Sequence, residues 1–164
     1  MGDDTERIEV VRGALDPDRR REILEFWRSR SAGDVEGAEN RFPQVVCVMR
    51  DARGSMVGVN AVRSRSVPLI GGRTFWIYSS LIDEAASKGS WMSMLGACFD
   101  ALSGELAAGP GEGVAPIGVC ALVGDPALLD RHPEALWPAL GFLYAGYAPD
   151  GRQVRIRYFE DGRV

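Results

Sequence analysis

The segment from Arg73 to Leu106 constrains the fold most, because an apolar strand, a short polar turn and an amphipathic helix follow one another directly. The strand, Thr74-Phe75-Trp76-Ile77-Tyr78-Ser79-Ser80-Leu81-Ile82, is dense in aromatic and β-branched residues. The turn is Asp83-Glu84-Ala85-Ala86-Ser87-Lys88-Gly89-Ser90, and the helix then carries Trp91, Leu95, Cys98, Phe99, Leu102 and Leu106 on one face of a 3.6-residue period. A helix start presents unpaired backbone N–H groups and a partial positive charge, so it suits an anion such as a phosphate. Ser87 or Ser90 can cap this helix, Gly89 lets a ligand approach the backbone, and Lys88 adds a cation. An ordinary strand-to-helix turn would use the same residues, and this segment alone leaves both readings open.

With 164 residues, 46% of them hydrophobic, the chain is expected to form one domain, 1–164, around a single sizeable core. Its net charge of −4 counts against duplex DNA or an anionic membrane as the main partner. Cys47, Cys98 and Cys120 each sit in an apolar run with no metal-like or pairing spacing, which fits small core residues of a reduced protein. The acidic start Met1-Gly2-Asp3-Asp4 lacks an apolar signal region, and no apolar stretch spans a bilayer, so the expected compartment is cytoplasmic.

Along the chain, Ile8–Val11 reads as a first strand, and Asp16-Pro17 as the cap and first residue of a helix reaching Arg30. Gly33 to Asn40 reads as a loop or short helix. Val45–Met49 and Met56–Val62 form a hairpin around Asp51-Ala52-Arg53-Gly54, and Pro68 to Gly72 is a turn. Gly109 to Gly113 breaks the chain after the central helix, and Val114–Val123 is a buried strand. Helical stretches are expected after Asp125-Pro126 and over Pro133–Leu140, and Phe142–Ala148 and Gln153–Phe159 close the chain as a hairpin. The expected class is α/β (α+β mixed): a central mixed, mostly antiparallel sheet of about seven strands with helices on both faces.

This order, with the Lys88-Gly89-Ser90 turn and the segment Ala135-Leu136-Trp137-Pro138-Ala139-Leu140-Gly141-Phe142, resembles the GNAT superfamily of coenzyme A-dependent N-acyltransferases. The second segment is similar to that family's late helix, which ends in a Leu-Gly-Phe turn before the sixth strand. The resemblance is topological and covers nearly the whole chain. It implies an acyl-CoA, with acetyl-CoA first, as co-substrate, and no metal. It places the pantetheine along Ser79, Ser80, Leu81 and Ile82, and the phosphates at Ser87, Lys88, Gly89, Ser90 and Trp91. The family's phosphate motif has Gln or Arg, two residues, Gly, any residue, then Gly or Ala; anchored on Gly89, those positions here hold Ala86 and Trp91. Trp137 stands where many members carry a Tyr that protonates the departing thiolate, so its indole is expected beside the coenzyme or in the core.

Acyl transfer to an amine needs a deprotonated amine, a polarised thioester carbonyl and the two held together. The candidate bases are Glu84, then Asp83 and Asp125; each also reads as a solvated turn carboxylate or a helix cap. Tyr144 is a candidate proton donor. His132 stands alone, which disfavours a metal or a Ser-His site. Gln153, Arg155 and Arg157 alternate with apolar residues, and Asp150–Val164 holds four arginines against three acids, a weak cationic edge for an anionic acceptor or a second copy of the chain. The function expected is acyl-CoA-dependent transfer to an unknown primary amine by direct attack in a ternary complex. The alternatives are a catalytically inactive GNAT-fold binding or regulatory protein and, behind it, a GNAT-like nucleic-acid-modifying protein, which would need a basic groove.

Overall fold

The computed structural model describes residues 5–30, 37–109 and 113–160. Parts of two expected segments, Gly33–Asn40 and Gly109–Gly113, and the four terminal residues at each end lie outside them. Eight strands, β1 (Arg7–Val10), β2 (Val45–Arg50), β3 (Met56–Val67), β4 (Arg73–Ile82), β5 (Gly118–Val123), β6 (Leu136–Trp137), β7 (Phe142–Tyr147) and β8 (Gln153–Tyr158), form one sheet in the order β1-β2-β3-β4-β5-β8-β7-β6. The α-helices are α1 (Pro17–Arg30), α2 (Ser90–Ala107) and α3 (Pro126–Arg131). β4 and β5 are parallel neighbours, and α2 is the crossover that such a pair requires. The expected mixed, mostly antiparallel sheet is present with one strand more than anticipated. Among the described residues no helix is long and apolar enough to cross a membrane.

The chain divides into two compact units. The first comprises the described part of Met1–Val62 together with Ser80–Ala101. Asp16 accepts the Arg19 N–H at 2.8 Å, opening α1 as the Asp-Pro signal predicts. Ile23 and Phe26 of that helix pack on Val45, Val48, Met56 and Val59 of the sheet, with Leu24 and Trp27 at the margin. Buried Asn60 donates to the Met94 carbonyl at 3.0 Å and accepts the Cys47 N–H at 2.8 Å, which ties the first turns of α2 to β2 and β3. All three cysteines are free and buried, and burial pushes the Cys47 and Cys120 thiols up to about 11. They are packing residues, as expected, and poor nucleophiles.

Glu22 of α1 receives two hydrogen bonds from Arg50 of β2, at 2.5 and 2.8 Å. Those bonds outweigh partial burial and hold the Glu22 carboxyl below its ordinary value. A depressed folded-state pKa gives stability that is complete above the unfolded value, about 4.3, and is lost as pH falls through the folded one. Glu22→Gln should therefore be less stable than the parent by a constant margin near neutrality, and that margin should shrink below about pH 4. Urea unfolding of both proteins at pH 7 and pH 3 checks this; a margin unchanged at pH 3 would contradict it.

The second unit comprises Arg63–Ser79 and the described part of Leu102–Val164. Val67, Phe75, Cys120, Val154 and Ile156 form one cluster of its core. Gly118 of β5 lies so close to β8 that a Cβ there would stand 2.2 Å from the Arg157 carbonyl oxygen, which explains a residue without a side chain in this strand. Pro133–Leu140 is not a helix: Leu136–Trp137 is the short strand β6, paired with Leu143 and Phe142 of β7. The late helix that the resemblance implies over Ala135–Leu140 is not there; the helix that follows β5 is α3, and the Leu140-Gly141-Phe142 turn remains, with Gly141 at φ 69°.

Candidate active site

The ladder between β4 and β5 covers Trp76–Tyr78 against Val119–Ala121, whereas β4 runs on to Ile82. Ser79, Ser80, Leu81 and Ile82 thus follow the last ladder pair. Ser79 is exposed, and the next three are half-buried. The chain then leaves β4 with the Asp83 N–H bonded to the Val57 carbonyl at 2.8 Å and turns through Asp83–Gly89 into α2.

Asp83 shapes this turn. Its Oδ1 accepts the Ala85 N–H at 3.0 Å, while Oδ2 accepts two bonds from the Arg30 guanidinium at the end of α1, the Nε bond being 3.0 Å. Arg30 itself lies 4.2 Å over the Phe26 ring. The Ala85 N–H first, and then Arg30, hold the Asp83 carboxyl below its ordinary value, which makes it a weaker proton acceptor. Glu84 is exposed and makes no ion pair or hydrogen bond among the described residues. Of the two adjacent carboxylates, one is committed to the turn and the other is available.

At the start of α2 an anion is already held. The Ser87 N–H and the Ser87 and Ser90 hydroxyls converge on the carboxylate of Glu6, at 2.6, 2.9 and 2.5 Å. Burial raises the Glu6 carboxyl, but the Ser90 hydroxyl and the Ser87 N–H and hydroxyl outweigh it and hold it below its ordinary value. Glu6 was not among the residues singled out in the sequence; a contact spanning 81 to 84 positions leaves no local signal. Lys88 and Gly89 are exposed and Trp91 is half-buried. Gly89 has no positive φ, and a Cβ there would meet nothing within 4 Å.

The second unit carries the other candidates. Asp125 accepts the Ala127 N–H at 3.0 Å as the cap of α3, the structural role anticipated for it. Tyr144 is 42% exposed on β7, with its ring 5.7 Å from that of Tyr147. Trp137 is 1% exposed; its indole N–H donates to the His132 carbonyl at 2.9 Å, and the Arg155 guanidinium lies 4.2 Å over its ring. This is the core environment, so Trp137 is a packing residue. Among the described residues no cluster of His, Cys, Asp and Glu could hold a metal ion.

No protein-family profile matches the sequence, and no curated protein matches it. Solved structures do. Similar ones include the GNAT family N-acetyltransferase YhbS from Escherichia coli in complex with CoA, at TM-score 0.57 and 17% identity, covering 98% of this chain and 85% of that one. Another is the GNAT superfamily phosphinothricin acetyltransferase from Sinorhizobium meliloti in complex with AcCoA, at TM-score 0.59 and 18% identity over 96% and 90% of the two chains. This chain has the GNAT fold. The N-acyl amino acid synthase FeeM from uncultured soil microbes is a further neighbour, at TM-score 0.57 and 13% identity over 97% and 93%.

Proposed function

We propose that the protein is an acyl-CoA-dependent N-acyltransferase, with acetyl-CoA the first donor to test and a primary amine as acceptor. The observation that carries this reading is the convergence of the Ser87 N–H with the Ser87 and Ser90 hydroxyls on one anion at the start of α2. A helix start with such donors is suited to a pyrophosphate. Ser87, Lys88, Gly89, Ser90 and Trp91 would hold the phosphates, and the backbone of Ser79–Ile82 would hold the pantetheine. When bound, the thioester supplies the acyl group and a thiolate that leaves without strong assistance.

Glu84 takes a proton from the acceptor's ammonium, directly or through water; the resulting amine attacks the acyl carbon, the carbon–sulfur bond breaks, and the nitrogen's remaining excess proton passes to the departing thiolate. Asp83, bonded to Arg30 and to the Ala85 N–H, holds the turn in shape. Direct attack in a ternary complex is favoured because the buried Cys47 and Cys120 thiols, pushed up to about 11, are poor nucleophiles.

Substitution at Gly89 tests the site. A Glu there fits the backbone and meets open space, so the fold should survive, while its bulk and charge oppose a phosphate. Coenzyme A affinity measured by calorimetry should fall on the order of 10–100-fold in Gly89→Glu, with a melting temperature close to the parent's. Unchanged affinity would place the phosphate site elsewhere.

A second reading, a GNAT-fold binding or regulatory protein, is favoured by Ala86 and Trp91 at the phosphate-motif positions and by an indole N–H at Trp137 that is already used by His132. Coenzyme A binding with no amine-dependent thiol release would select it.

A further inference from the structure

Glu6 sits one residue before β1, whose ladder with β2 begins at Arg7 opposite Arg50. β1 is an edge strand of the sheet. From that position the Glu6 side chain reaches the start of α2 and uses both carboxylate oxygens there, Oε1 for the Ser87 N–H and Oε2 for the two hydroxyls. A phosphate needs the same donors. Two anions cannot share them, because each donor hydrogen serves one strong acceptor and like charges at contact distance repel.

We propose that Glu6 is a built-in gate: its carboxylate occupies the anion position at the start of α2 and swings out before the coenzyme's pyrophosphate can bind. This rests on the coenzyme site placed at Ser87–Trp91 above. The geometry suits reversible release. Glu6 lies outside the β1 ladder, so its side chain can leave without breaking a strand pair. Its bonds to Ser87 and Ser90 are made at a partly exposed site, where the departing carboxylate regains water. A tethered competitor lowers apparent affinity by the fraction of molecules in which the site is open. The coenzyme therefore binds as strongly as its own contacts permit only after the Glu6 contact has been displaced.

The test compares the full-length parent, Glu6→Gln and Glu6→Ala by calorimetric titration with coenzyme A and with pantetheine, which lacks the phosphates. Melting temperatures without ligand are recorded alongside. Removing the charge should tighten coenzyme A binding by about tenfold in both variants, the scale of a charge-assisted hydrogen bond, and leave pantetheine affinity unchanged. If parent and variants bind coenzyme A equally while the variants melt lower, Glu6 is a structural cap; the gate is overturned and the phosphate site stands. Weaker binding in the variants also overturns the gate. If neither parent nor variants bind coenzyme A, the phosphate site and the gate fall together.

Discussion

Glu84→Gln should lower turnover by ~10²–10⁴, the usual loss when a positioned acid or base is removed, and should flatten the acid limb of the pH–rate profile. Coenzyme A affinity should hardly change, because Glu84 precedes the donors that converge at the start of α2. Asp83→Asn is the informative partner. Asp83 is bound to Arg30 and to the Ala85 N–H, so its loss should loosen the turn and lower the melting temperature while preserving the shape of the pH profile. Steady-state rates across pH for both variants separate the roles. A pH profile unchanged in Glu84→Gln would move proton removal to another group or to water.

Trp137→Ala should be the most destabilising of the single substitutions considered. Trp137 is among the largest fully buried side chains; truncation opens a cavity, leaves the His132 carbonyl without its indole donor and strips the ring from under Arg155. Trp→Ala in a core costs about 3–5 kcal/mol, and at this chain length each kcal/mol lowers the melting temperature by roughly 2–4 °C. A fall of about 10 °C by circular dichroism is expected. Trp137→Phe, which keeps most of the volume but loses the N–H, should fall much less. Were Trp137→Ala to leave the melting temperature alone and alter acyl-chain preference, the residue would line a ligand site after all.

Much of this was legible in the sequence because it is local. The run from Thr74 to Leu106 gives β4, the turn and α2 through patterning over neighbouring positions, and Asp16-Pro17 and Asp125-Pro126 mark the starts of α1 and α3 through capping chemistry. The stretch around Trp137 differs from expectation because the resemblance puts a late helix there. The ladder with Phe142 and Leu143 and the Gly141 turn decide for a strand, and a two-residue strand has too few positions to show a period. The anion partner at the start of α2 was hidden for another reason. Glu6 is one carboxylate in a polar segment, and only the β1–β2 pairing carries it to Ser87 and Ser90. The sequence offers these serines as caps or as anion ligands, and both hydroxyls donate to the Glu6 carboxylate.

The central claim is that the start of α2 receives the coenzyme's phosphates. Titrating coenzyme A into the isotopically labelled protein and following every backbone amide by NMR tests it at residue resolution. The account predicts saturable shifts that are largest at Ser87, Lys88, Gly89, Ser90 and Trp91, with a matching response at Glu6 as its carboxylate leaves. Saturable binding whose shifts bypass these residues, or no shift at any coenzyme concentration, would contradict it.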